Sequence, residues 1–210
     1  MAPPIVFPDV RITGQLSVKA DGISAQNRIS ILAQETNAVF PVPFHSLRVW
    51  DAFQTLLPGT AATDDLALVG GTFGTAPPVV TAGDVKAAGA VTRYARALVA
   101  VPECYDPGET LALALSAGMV TTVADVSCTI DVEVFKLDKV GGIGSDLCIT
   151  TAQSINSLVF ASKEFLVSPS GLEPGDVLDV RITVASNDAA TATVTKPTVA
   201  GIDLLCDIRG

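Results

Sequence analysis

A single histidine, His45, bounds the catalytic chemistry open to this chain. Any Ser-His-Asp or Cys-His mechanism must pass through it, because both need an imidazole that exchanges a proton near neutral pH. Its surroundings, Pro41-Val42-Pro43-Phe44-His45-Ser46, form a proline-punctuated loop without a nucleophile motif, so a surface or interface histidine is expected. A histidine-based metal centre fails on the same count. Gly70-Gly71-Thr72-Phe73-Gly74 and Gly141-Gly142-Ile143-Gly144 resemble phosphate loops only in composition. Neither leads into a Lys-Ser/Thr pair or a helix whose N-terminus would receive the anion. Asp64-Asp65, and Asp203 with Asp207, are hard oxygen ligands in type, but no D-x-D-x-D-G loop pre-arranges them for calcium. Asp131 and Glu133 have the chemistry of a glycosidase pair, and the solubility of one strand face explains them equally. Cys104, Cys128, Cys148 and Cys206 lack C-x-x-C or zinc spacing and read as buried free thiols. The chain is therefore expected to be no enzyme and to need no cofactor or metal.

Composition narrows the partners. Thirteen basic against twenty-two acidic residues give a net charge of -9, which repels a phosphate backbone and an anionic membrane surface alike. Neither nucleic acid nor membrane is an expected partner. Hydrophobic residues make up 49% of the 210 residues while aromatics make up 5%, so the core must be built from aliphatic side chains that pack well in sheets. The first residues, Met1-Ala2-Pro3-Pro4-Ile5-Val6-Phe7-Pro8, carry no basic segment and no long apolar run, and Asn27, Asn37, Asn156 and Asn187 are not in N-x-S/T sequons. Synthesis in the cytosol is the expectation.

Three regions differ in texture. Residues 1–35 read as an extended N-terminal arm, proline-rich at its tip and broken by Gly14 and Asp21-Gly22. Residues 36–90 read as an irregular insert or small β subdomain, with Leu47-Arg48-Val49-Trp50 as one strand and a Gly, Ala, Thr and Pro-rich remainder. Residues 91–210 are regular. From Val126 to Val134 every even position is apolar and every odd one polar, the period of a strand with one buried face. Leu178, Val180, Ile182 and Val184 repeat it, as do Leu111, Leu113 and Leu115, and Ile202, Leu204, Cys206 and Ile208. Further strands are expected over residues 95–101, 147–149, 158–160 and 165–167. Asp106-Pro107-Gly108-Glu109 and Glu173-Pro174-Gly175-Asp176 are Pro-Gly turns placed directly before alternating runs. The fold class that follows is all-β: an antiparallel β-sandwich, wired as a jelly roll, with the N-terminal arm and irregular insert attached.

Residues 64–75, Asp64-Asp65-Leu66-Ala67-Leu68-Val69-Gly70-Gly71-Thr72-Phe73-Gly74-Thr75, followed by Thr92-Arg93-Tyr94-Ala95-Arg96, resemble virion proteins of tailed bacteriophages. Val101 to Thr110, Gly118 to Asp125 and Leu172 to Ile182 extend the likeness through the two halves of a jelly-roll domain, and it covers roughly residues 60–208. This resemblance implies a structural virion protein that decorates and cements a capsid by bridging neighbouring major capsid proteins. It implies a homotrimer on the outer capsid surface, made in the host bacterial cytoplasm. A head-fibre or tail adaptor would share the same fold. The candidate contacts to capsid or neighbouring subunit are Pro4, Ile5, Val6 and Phe7 in the arm and Phe40, Phe44, Trp50, Phe53 and Phe73 in the irregular middle. A carbohydrate-binding module is the alternative from another class, since many are β-sandwiches without catalytic residues. Such modules display several exposed aromatics, and Trp50, Tyr94 and Tyr105 make a thin platform.

Overall fold

The structure, a computed structural model, describes residues 37–209; the arm expected over residues 1–35, with Pro4, Ile5, Val6 and Phe7, lies outside them. The described chain forms β1 (Asn37–Pro41), β2 (Ala67–Val69), β3 (Val79–Thr81), β4 (Gly89–Ala100), β5 (Leu111–Val120) and β6 (Ser127–Leu137). There follow β7 (Ile143–Asp146), β8 (Gln153–Ser154), β9 (Ala161–Val167), β10 (Val177–Asp188) and β11 (Lys196–Asp207). These make two antiparallel sheets. The first runs β2-β3-β11-β5-β9, with β1 also on β11; the second runs β4-β10-β6-β7, with β8 on β6. Strand β3 pairs β11, β4 pairs β10, β5 pairs β9 and β6 pairs β7, the nesting of one long hairpin rolled over on itself. Contacts of β11 with β5 and of β10 with β6 close the roll. The all-β antiparallel sandwich with jelly-roll wiring is thus the fold of this chain.

Alternation explains the layers. Cys128, Ile130, Val132 and Val134 of β6 and Leu178, Val180, Ile182 and Val184 of β10 point inward, where they meet Leu111, Leu113 and Leu115 of β5 and Ile202, Leu204 and Cys206 of β11. Burial pushes the Cys128 thiol up to about 11, so it is a neutral packing group. Cys206 is likewise buried, whereas Cys104 is exposed and Cys148 half-buried, so only two of the four expected buried thiols are fully so. The two Pro-Gly turns form as expected. Gly108 and Gly175 take positive φ (91° and 78°), and Glu109 and Asp176 donate backbone hydrogen bonds of 3.1 Å to Asp106 and Glu173.

Three expected strands are absent, each for a local reason. Residues 147–149 cross from one sheet to the other: Leu147 N–H donates to Val134 in β6, while Ser168 N–H, just past β9, donates back to the Leu147 carbonyl. A segment bonded to both layers cannot run as a strand in either. Residues 158–160 are exposed and turn on the Ser157 hydroxyl, which accepts from Val159 N–H at 3.1 Å. Around residue 48 the alternation is real, with Leu47 and Val49 buried, but only Arg48 pairs, and Val49 N–H turns to Thr55. Conversely, residues 37–81 supply β1, β2 and β3 to the first sheet, so the sandwich includes residues well before Val91. Those strands are short, and β1 ends in Pro41, an edge position where a missing N–H is tolerated.

One end of the roll is tied by carboxylates. Asp188, at the end of β10, is fully buried and accepts from Asp125 N–H at 3.1 Å, while Asp125 accepts from Ala189 and Ala190 N–H. Burial alone would raise the Asp188 pKa, but the Thr191 and Thr195 hydroxyls and the Asp125 N–H favour the charged form and hold it at about 2. Asp176, facing Lys136, and Asp84, facing the N–H groups of Lys86 and Thr195, are also lowered despite their own desolvation. A depressed carboxylate contributes stability that is present above its unfolded pKa of about 3.9 and lost as the pH falls through the folded value. The melting temperature is therefore expected to fall steeply between about pH 4 and about pH 2. Asp188→Asn should already melt lower at neutral pH and lose less on acidification. Melting curves for the two proteins that stay parallel across this window would contradict the assignment.

Candidate functional site

The outer face of the second sheet carries the densest polar and aromatic chemistry among the described residues. Register puts it there. Asp179, Arg181 and Thr183 of β10 alternate with the core residues, and they lie opposite Leu98, Arg96 and Tyr94 of β4 on one side and Phe135, Glu133 and Asp131 of β6 on the other. Every one of these side chains therefore stands on the same face. Arg96 reaches diagonally to Asp179, its Nε donating to Oδ1 at 2.6 Å and its Nη2 to Oδ2, a forked ion pair whose carboxylate is almost completely buried. This hydrogen-bonded partner raises the already high Arg96 pKa against the effect of burial. Arg181 pairs with Glu133 directly across the ladder through both Nε and Nη2.

The segment between β1 and β2 supplies the aromatic wall. Arg48 exchanges backbone hydrogen bonds of 2.8 and 3.0 Å with Arg96, and Leu66 N–H donates to the Tyr94 carbonyl while Tyr94 N–H donates to Asp64. These bonds clip residues 48–66 along the free edge of β4, with Leu47, Leu57 and Leu66 buried as anchors. Trp50 is thereby set 5.0 Å from Tyr94 at a tilt of 47°, with its indole N–H donating to Asp64 at 3.1 Å. The Arg181 guanidinium sits 5.5 Å from the Trp50 ring and 5.2 Å from that of Tyr94, and Arg96 lies 5.2 Å from Phe53. Beside the indole, Asp65 is desolvated and faces Asp64 and Asp51, all of which push its pKa up. Trp50, Asp51, Arg96, Glu133, Phe135, Ile143, Asp179 and Arg181 line a cleft of about 360 Å³, within the usual size range of small-ligand sites.

A larger depression of about 460 Å³ lies by the turn between β6 and β7. Its Lys136 is held by Asp176 at 2.6 Å and by the Gly171 carbonyl at 2.6 Å, which leaves few free donors to recognise a ligand. Among the described residues no group of three or more His, Cys, Asp or Glu side chains is placed to hold a metal ion.

The candidate contacts named from sequence separate into three places. Trp50 lines the cleft, and Phe53 packs against the Arg96 guanidinium beside it. Phe40 and Phe44 are half-buried against the core, and His45 is exposed in the short 3-10 turn Phe44–Ser46. Phe73 stands fully exposed in the loop between β2 and β3, whose turn needs Gly71: at φ 67° a Cβ there would meet the Ala76 carbonyl oxygen at 2.3 Å. Tyr105 is not a surface aromatic at all, being fully buried with its hydroxyl donating to the Glu109 carbonyl at 2.9 Å. Arg96, Asp179 and Arg181 escaped the sequence reading because a polar residue at an outward strand position looks the same whether it faces water or a cleft.

No family model matches the sequence, and no curated protein matches it. Among solved structures the fold is similar to the xylan-binding module CBM15, at 11% identity and a TM-score of 0.44 over 83% of this chain and 99% of that one. It is also similar to the Family 16 Carbohydrate Binding Module-2, at 14% identity and a TM-score of 0.39 over 70% and 88%. A third likeness is to the enzymatically active domain of bacteriophage CBA120 tailspike protein 4, at 10% identity and a TM-score of 0.35 over 80% of this chain and 19% of that one. All three likenesses are too loose to bear on function.

Proposed function

We propose that this chain is a non-catalytic binding module that takes a neutral oligosaccharide on the outer face of its second sheet. The observation that carries the reading is the convergence of Trp50, packed against Tyr94, with two Arg-carboxylate pairs in one open cleft. A guanidinium only donates hydrogen bonds and a carboxylate only accepts them, so Arg96, Asp179, Arg181 and Glu133 form a mosaic of both with balanced charge. Sugar hydroxyls, which donate and accept at neighbouring positions, match that mosaic, and an ion of either sign does not. The C–H face of a pyranose ring suits an aromatic wall of this kind. The ion pairs hold the donors and acceptors in place before the ligand arrives, which lowers the ordering cost of binding.

A glycan array probed with the full chain, followed by calorimetric titration of the best hit, tests this. Trp50→Ala is expected to weaken binding by at least about ten-fold, the factor that accompanies ~1.4 kcal/mol. Arg181→Lys keeps the charge but loses the fork and the stacking plane, and it should weaken binding while leaving the fold intact. An array without signal, or a Trp50→Ala protein that binds like wild type, would sink the proposal.

A second reading follows the resemblance to tailed-phage virion proteins: a subunit that decorates and cements a capsid on its major capsid protein, or serves as a head-fibre or tail adaptor. The outer face of the first sheet favours it, because Val39, Val69, Val120 and Leu166 are exposed there beside the protruding Phe73. Exposed apolar surface at both ends of one sheet face is the kind that protein-protein contacts cover. Purified chain should then bind capsids and raise their resistance to heat, and particles lacking it should break sooner. Equal resistance with and without the chain would remove this reading.

A further inference from the structure

The outer faces of the two sheets are chemically opposite. Whereas the second sheet shows paired charges, the first shows, along β11 and β5, the outward row Lys196 and Val120, then Thr198 and Gly118, Gly201 and Ser116, Asp203 and Ala114, and Leu205 and Ala112. Strand β9 adds Ser162, Glu164 and Leu166 opposite Ser116, Ala114 and Ala112. The face is thus small and flat at its centre and apolar at both ends. One end holds Val69, Val79, Val120 and Phe160 around a groove of about 380 Å³, with Lys196 as its cation. The other holds Val39, Leu205 and Leu166, flanked by the carboxylates of Asp203 and Glu164.

We propose that this face joins two copies of the chain about a two-fold axis passing near Gly201 and Ser116. Turning one copy end for end over the other lays the apolar shelf with Lys196 against the apolar shelf with Asp203 and Glu164, and does so twice. Such a patch is self-complementary, as an isologous contact requires. The face's own charge pattern, a cation at one end and carboxylates at the other, argues for a second copy over an unrelated occupant. Two chains of net charge -9 repel each other on most approaches, and here the cation of each meets the anions of its partner. Gly201 and the small side chains of Ser116 and Ala114 beside it allow the sheets to stack at the usual spacing of about 10 Å. Lys196 and Glu164 are both exposed and without a salt-bridge partner in the described structure. The two clefts on the opposite sheets would then face away from the contact, free for ligand.

Sedimentation velocity of the full chain over about 1 to 100 µM tests the contact, because a self-association equilibrium moves with concentration. The expected result is a rise to twice the 21.6 kDa chain mass. Lys196→Glu is expected to weaken the dimer by about ten-fold or more, and the exchange Lys196→Glu with Glu164→Lys to restore it. Both positions are exposed, so the folded chain tolerates either change, which a melting curve checks. Leu166→Glu should also give monomer. A wild type that stays monomeric, a limiting mass of three chains, or a charge exchange that fails to restore association would each overturn the proposal. Protection of this face from hydrogen exchange in a monomeric chain would assign it instead to residues 1–36.

Discussion

Asp179→Ala should cost about 3 kcal/mol of stability and abolish ligand binding at the cleft, the low end of the range for breaking a buried ion pair. The carboxylate is 6% exposed and takes both hydrogen bonds of the Arg96 fork, whereas the Arg96 side chain is 33% exposed. Removing the acid leaves a guanidinium that regains some water, which limits the penalty, but it also frees Arg96 from its place beneath Phe53 and the Trp50 carbonyl. The wall of residues 48–66 then loses one of its attachments to β4. Denaturant unfolding gives the stability change, and titration with the ligand of the wild-type protein gives the functional one. The double variant Arg96→Met with Asp179→Leu separates the two roles: apolar groups of similar size should recover most of the stability, since a buried pair and a packed apolar pair are often equivalent, while binding stays lost. An Asp179→Ala protein within about 0.5 kcal/mol of wild type, the scatter of ordinary surface substitutions, would mean that this pair is surface decoration.

Phe165→Ala is expected to have the largest effect on the fold itself, about 4 kcal/mol, as for other large aromatics removed from a closed core. Phe165 is fully buried on β9, opposite Leu113 of β5. Among the described residues it is one of only two aromatics in the set of largest fully buried side chains, the other being Tyr105. Aliphatic neighbours held by two hydrogen-bonded sheets cannot close the space it leaves. The midpoint of thermal unfolding should fall by about 10 °C. Phe165→Leu keeps most of the volume and should cost less than half as much. Equal costs for the two substitutions would show that the site collapses freely and that packing there is not close.

These two expectations bear on different layers of the same design. Phe165 acts within the sandwich, and the ion pairs act on a face that the sandwich merely holds flat. Loss of binding without loss of fold is therefore the signature of the cleft, and Trp50→Ala and Arg181→Lys are the cleaner probes of it. If the two-fold contact forms as well, each dimer presents two clefts, and a repeating glycan gains avidity from engaging both when its length spans them.

Much of the fold was legible in the residues alone. The period-two runs of β6, β10, β5 and β11 assign which side chains are inside, because successive strand residues point to opposite faces whatever the partner strand is. The Pro-Gly turns before β5 and β10 act within four residues and so were readable too. The shortage of imidazole was plain as well: with one histidine, a metal centre built on a histidine cluster was not available.

Only the tertiary structure decided what lies beside what. Strands β1, β2 and β3, three to five residues long, are too short to announce themselves and become strands because β11 offers β1 and β3 a partner and β3 offers one to β2, whereas residues 147–149 look like a strand and are pulled between the sheets instead. The cleft depends on register. Arg181 stands opposite Glu133 across a separation of 48 residues, and Arg96 reaches Asp179 across 83. Trp50 meets Tyr94 through a clip on an edge strand that no local pattern encodes. Burial is a property of one residue's position along a strand, so a sequence can carry it; a cleft is a property of which strands become neighbours, and that is set by the closing of the whole roll.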